Sequence, residues 1–162
     1  MNKEVVIDYL YLDLQTCDRC IGTDKVLEEV IAEITPTLEL AGLSVTYRKT
    51  EIKTAHMAEQ FRFVSSPTIR VNGADICGTV NESDCACCGE ISGTDVDCRV
   101  FEYEGQSYEV PPKAMLVEAI MRSVFSPRAE NCDCYALPEN LKDFFDGKEK
   151  RKSKCGCKSG CC

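Results

Sequence analysis

The sequence predicts an α/β domain: a small sheet covered by helices. Two observations carry this. Segments of strand and helix period alternate as β-α-β-α-β-β-α over about 120 residues. The apolar share of 44% in 162 residues is also enough for a hydrophobic core without covalent staples. A third number constrains function, since 13 residues are cysteine. The odd count and ordinary domain length argue against a secreted disulfide scaffold. Nineteen Lys and Arg against 27 Asp and Glu, a net charge of −8, argue against a nucleic-acid binder.

Residues 5–14 read as a buried strand, dense in β-branched and aromatic side chains. Asp8 and Asp13 interrupt this apolar run, and no basic stretch or cleavage site marks a signal peptide. No segment reaches the roughly 18–20 apolar residues of a membrane span. A cytoplasmic protein with reduced thiols is expected, a setting in which many cysteines point to catalysis or metal binding.

The strand runs into Cys17-Asp18-Arg19-Cys20, followed by a helix with Val26, Leu27, Val30, Ile31 and Ile34 on one face. Pro36 either kinks this helix or begins a second one with Thr35 as its cap, and Gly42 stops it. A second strand over 43–52 alternates Leu43, Val45 and Tyr47 with polar residues. Thr54 caps a short helix that carries His56, expected as a solvated surface residue. After Ser65-Ser66-Pro67, a strand over 68–71 ends at the turn dipeptide Asn72-Gly73.

Residues 74–97 are irregular. A hairpin over 98–110 follows, and Pro111-Pro112 opens a helix whose buried face is read as Ala114, Leu116, Val117, Ile120, Met121 and Val124. The domain is placed at 1–127, with a Cys-rich insert at 74–98. Residues 128–162 are read as a flexible, partly disordered Cys-rich appendage with a short amphipathic stretch at Leu141, Phe144 and Phe145. Its last 17 residues hold six Lys or Arg against two acids, a net of +4, which leaves −12 on the first 145.

A Cys-x-x-Cys between a core strand and a helix has a defined use. The helix amides favour an anion at the first cysteine, so Cys17 is the candidate attacking thiolate and Cys20 the resolving thiol. Arg19 would favour that thiolate and Asp18 oppose it. Asp13 is read either as a proton acceptor with a raised pKa or as an outward-facing strand residue. A structural zinc ligand pair is the alternative for Cys17 and Cys20.

The order of these elements, with Cys17-Asp18-Arg19-Cys20 and with Ser66-Pro67-Thr68-Ile69 leading into the third strand, resembles the thioredoxin superfamily over residues 4–125. That resemblance implies a central mixed four- to five-stranded sheet flanked by helices. It makes Pro67 a cis-proline facing the cysteine pair and presenting backbone groups to a thiol or polypeptide substrate. The chain departs from thioredoxin proper in lacking tryptophan and in carrying Asp-Arg between the cysteines. A dedicated partner is therefore expected rather than general protein reduction. Within the superfamily the chain is similar to an uncharacterised thioredoxin-like domain family. Its relatives include selenoproteins in gene sets that handle organometals, and a cysteine here could stand for selenocysteine.

In the insert, Cys85 and Cys88 have chelating spacing, and Cys98 or Cys77 could complete a thiolate site. A metal site, a second redox pair able to relay to Cys17 and Cys20, and buried thiols acting as small hydrophobes all remain open. In the tail, Cys155, Cys157, Cys161 and Cys162 can wrap a soft ion such as Cu(I), Zn(II), Hg(II) or As(III). Cys132 and Cys134 could join either set. The leading expectation is a thiol-disulfide oxidoreductase that needs no cofactor for redox. It would act on a protein or small-molecule thiol partner, or on a thiol-bound soft metal or organometal. The competing class is a non-enzymatic soft-metal binding or transfer protein on the same scaffold. Neither involves nucleic acid or a membrane span.

Overall fold

The protein is described from a computed structural model covering residues 3–78, 80–126 and 135–156, with backbone alone for 153–156. Strand β1 (Lys3–Tyr11) pairs in parallel with β2 (Leu43–Glu51) and antiparallel with β3 (Thr68–Val71), which turns through Asn72-Gly73 into β4 (Ala74–Asp75). The sheet order is β2-β1-β3-β4, so β1 is central, as its apolar density requires.

Helix α1 (Asp18–Leu40) is one continuous element that passes through Pro36. Thr35 does not cap a second helix; its hydroxyl donates to the Ile31 carbonyl at 2.6 Å. Gly42 ends the helix at φ +78°, a left-handed conformation that glycine adopts without a Cβ clash. Helix α2 (Ala55–Gln60) is capped by Thr54, whose side chain accepts from the Met57 amide at 3.1 Å, and His56 is exposed.

The chain between β4 and the last domain helix is more ordered than its sequence suggests. It forms β5 (Asn81–Asp84), α3 (Ala86–Ser92), β6 (Asp97–Tyr103) and β7 (Gln106–Tyr108), with a separate sheet of order β5-β6-β7. The expected hairpin beginning at Cys98 therefore does not extend the central sheet; β4 takes that place on β3. Helix α4 (Lys113–Phe125) buries Leu116 and Ile120 and packs Val117, Met121 and Val124 against the core as expected, except that Met115 is buried and Ala114 is exposed.

The second difference concerns the segment read as an appendage. Residues Glu139–Gly156 form a helix, α5, and Leu141, Phe144 and Phe145 are buried. Gly147 makes this docking feasible, because a Cβ there would lie 2.3 Å from the Ser92 carbonyl oxygen of α3. Three buried aromatic or aliphatic side chains give the segment enough apolar surface to pack, which its mean polarity concealed.

Two cores result. One lies between the sheet, α1 and α4 and contains Ile7, Tyr9, Leu27, Val30, Leu38 and Phe101. The other lies beyond the C-terminal end of β1. It unites Leu10, Leu12, Ile52 and Phe63 with Phe144 and Phe145 of α5, and five cysteines are embedded in it.

Candidate thiol centre

Cys17 occupies the N-cap position of α1 with extended backbone angles (φ −83°, ψ 105°), and the Ile21 amide donates to its carbonyl at 2.9 Å. The turn that delivers it is organised by Asp13. One carboxylate oxygen, Oδ2, accepts from the amides of Gln15, Thr16 and Cys17 at 3.2, 2.6 and 3.0 Å, and from the Thr16 hydroxyl at 2.8 Å. Burial alone would raise the Asp13 pKa, but the donors from Thr16, Cys17 and Gln15 outweigh it and lower it. Asp13 is therefore an ionised backbone clamp, not the proton acceptor with a raised pKa that was one expectation. Replacing it with alanine should destabilise the fold by about 1–2 kcal/mol, with asparagine recovering much of this, as read from urea midpoints.

The insert folds directly over this turn. Cys85 is the N-cap residue of α3, and its sulfur lies 4.0 Å from that of Cys17. The Cys88 sulfur is also 4.0 Å from Cys17, and Cys98 lies 3.5 Å from Cys88. Cys17, Cys20, Cys88 and Cys98 have no exposed surface, and Cys85 retains 4%. All seven cysteines with described side chains are free thiols.

These contacts polarise the cluster. The Cys17 thiol is held far below the ordinary thiol range because Cys20 foremost, then Cys85, Cys88 and Cys98, donate to its sulfur. Cys20 moves the opposite way: as donor to Cys17, and being buried, its thiol is pushed up. The Cys17 contact also raises Cys88 and Cys98, with Cys85 adding to both. At Cys85 the Cys17 contact raises the pKa, but donation from Cys88 and Cys98 prevails and leaves it at about 7.

Cys20 holds a distinct position, with its sulfur 3.4 Å from the Ser66 hydroxyl. The Ser66–Pro67 bond is cis, and the Ser66 hydroxyl also accepts from the Leu12 amide at 3.2 Å. The backbone beside Pro67 is already engaged, because the Ser66 carbonyl accepts from the Arg99 amide of β6 at 2.7 Å. The face expected to receive a substrate is thus covered by the protein's own insert.

Two buried arginines fix that cover. Arg19 donates to the carbonyls of Ser83, Asp84 and Cys98 at 3.1, 2.6 and 3.0 Å, and to the Glu109 carboxylate at 2.9 Å. Arg99, fully buried, reaches the Thr68 hydroxyl at 3.2 Å and Asp75 at 3.0 Å. No sequence signal reveals the Arg19 clamp, since its main partners are backbone carbonyls.

Cys77 stands apart. It belongs to the first core, its sulfur lies 3.9 Å from the Ile69 carbonyl oxygen, and burial pushes its thiol up to about 12. It is not a member of the insert's thiolate cluster, which corrects its inclusion as a candidate ligand. Cys132, Cys134, Cys157, Cys161, Cys162 and the side chain of Cys155 lie outside the described residues.

Fold and site together define an α/β protein with a buried cysteine cluster, in which Cys17, Cys85 and Cys88 could hold a metal ion. No helix among the described residues is long and apolar enough to cross a membrane. The chain belongs to the family described as a domain of unknown function, DUF2703, which it matches over residues 5–120. That span runs from β1 into α4 and holds all five clustered cysteines and Pro67. Comparison with curated proteins and with solved structures gives no match.

Proposed function

We propose that this protein is a thioredoxin-like thiol-disulfide oxidoreductase in which the buried pair Cys17 and Cys20 exchanges with the insert pair Cys85 and Cys88. The carrying observation is the 4.0 Å approach of Cys17 to both insert cysteines. The scaffold reading is supported by the order β2-β1-β3-β4, the cysteine pair at the start of α1, and Pro67 at the entrance to β3.

In the first step the Cys17 thiolate attacks one sulfur of a disulfide, forming a mixed disulfide and releasing the other sulfur as a thiolate, which takes a proton from water. Cys20 then attacks Cys17, its proton passing to the departing thiolate. Cys17 and Cys20 end as a disulfide, and the substrate has gained two electrons and two protons. The reverse sequence, with Cys85 or Cys88 as attacking thiol, moves the disulfide to the insert. Of the five clustered thiols Cys85 is the most exposed, bordering a depression lined by Gly89, Gly93, Thr94, Asp95 and Arg151. A covered Cys17 suits a dedicated thiol or disulfide partner that enters there, in a cytoplasmic setting.

Removing the resolving thiol tests this. In full-length Cys20→Ser protein given a small aromatic disulfide, Cys17 should accumulate as a mixed disulfide or as a bond to Cys85 or Cys88. Peptide mass mapping reads the result. Cys17 remaining a free thiol while the disulfide is consumed would overturn the proposal.

A further inference from the structure

Exchange chemistry explains two pairs of cysteines but leaves Cys98 without a task. Cys98 is fully buried at the start of β6, 3.5 Å from Cys88. The sulfurs of Cys17, Cys85 and Cys88 all lie within 4.8 Å of one another, and Cys98 adjoins Cys88. Cys20 adjoins Cys17 and the Ser66 hydroxyl, and it is not one of the three mutually close sulfurs. The arrangement is a triangle of sulfurs, with Cys98 one contact away as the available fourth donor.

The spacing selects a coordination geometry. A tetrahedral ion with metal–sulfur bonds of about 2.3 Å separates its sulfurs by about 3.8 Å. The three contact distances, 4.0, 4.0 and 3.5 Å, bracket that value. A linear two-coordinate ion at the same bond length would spread its two sulfurs to about 4.6 Å, wider than these contacts. The donor set is all sulfur, which suits soft and borderline cations and disfavours magnesium or calcium.

We infer that Cys17, Cys85, Cys88 and Cys98 form a four-thiolate site for a tetrahedral borderline divalent cation of the zinc class. The surroundings match such a site. Four thiolates around a divalent cation carry a net charge of −2, and the Arg19 guanidinium sits behind them, donating to the Cys98 carbonyl at 3.0 Å. The Cys85 amide is held by the Val96 carbonyl at 2.8 Å, which fixes that ligand's backbone. The depression bordering Cys85 supplies an access route. Because Cys17 is shared, the metal-bound and exchange-competent forms exclude one another, and the inference stands independently of the oxidoreductase reading.

The test uses the reduced full-length chain with serine at the six cysteines outside the described side chains, Cys132, Cys134, Cys155, Cys157, Cys161 and Cys162. Titration with Co(II) alone should saturate at one equivalent, with the intense visible absorption of tetrahedral cobalt thiolate, and Zn(II) should displace it. Serine at Cys85 preserves an N-cap residue for α3. Cys85→Ser and Cys98→Ser should each weaken binding more than about 100-fold, beyond the cost of an outer-shell change. Cys77→Ser should leave the spectrum unchanged. Absence of stoichiometric cobalt, a weak octahedral spectrum, or undiminished binding in either folded ligand variant would overturn the site. Disulfide reduction measured on the metal-free chain fails or succeeds separately, so loss of one reading does not remove the other.

Discussion

Cys17→Ser protein should lose disulfide reduction by on the order of a thousand-fold, because a serine hydroxyl near neutral pH is a negligible nucleophile toward sulfur. The effect should exceed that of any other single cysteine. Cys17 is the one thiol that contacts Cys20, Cys85 and Cys88 together, and its sulfur is the one most strongly stabilised as an anion. Cys20→Ser should instead stall after the first attack, and Cys77→Ser should retain full turnover because Cys77 lies in the other core. Initial rates with a small aromatic disulfide and a dithiol donor distinguish these outcomes. A Cys17→Ser protein that reduces the disulfide at the unmodified rate would remove the proposed chemistry from this pair.

The largest structural effect should come from Arg19→Ala. Arg19 sits between the two cysteines of α1, is 7% exposed, and donates to three backbone carbonyls of the insert. Its ion pair with Glu109 adds little, since that carboxylate side chain is 67% exposed and well screened. The carbonyls carry the weight: each charge-assisted bond contributes about 1.5–3 kcal/mol, and buried oxygens left unpaired cost more. Because these bonds are not additive, a loss of about 3 kcal/mol is expected, visible as a lower urea midpoint. The insert should also loosen over the site, so alkylation of Cys85, Cys88 and Cys98 should accelerate in Arg19→Ala. Arg19→Lys should give only partial rescue, because an ammonium cannot reproduce the planar fork. Unchanged alkylation rates in Arg19→Ala would show that the clamp does not hold the cover in place.

The readable parts of this molecule were those whose packing leaves a periodic trace. The apolar run of β1, the single face of α1 and the Asn72-Gly73 turn each announce their structure locally, and Cys17 at the start of α1 follows from them. The insert leaves no such trace. Its helix is short, its strands Asn81–Asp84 and Gln106–Tyr108 are polar, and its position depends on arginine bonds to carbonyls that any residue provides. Spacing along the chain also could not separate Cys77 from Cys98 as partners of Cys85 and Cys88. Cys77 follows β4 into the first core, whereas Cys98, the second residue of β6, lies in the second. Helix α5 was hidden for a related reason, since its docking depends on the bare Gly147 backbone meeting Ser92 within a mostly charged segment.

If the insert cysteines and the Cys17–Cys20 pair form one centre, they exchange disulfides with one another. Disulfide mapping by mass spectrometry tests this exchange most directly, on native full-length protein briefly exposed to a small-molecule disulfide and then blocked with alkylating agent. Crosslinked peptides joining Cys17 to Cys20 and Cys17 to Cys85 or Cys88 are expected, with Cys77 recovered alkylated and unpaired. Recovery of Cys17 with no link to the insert, while Cys85, Cys88 and Cys98 pair only elsewhere, would contradict it.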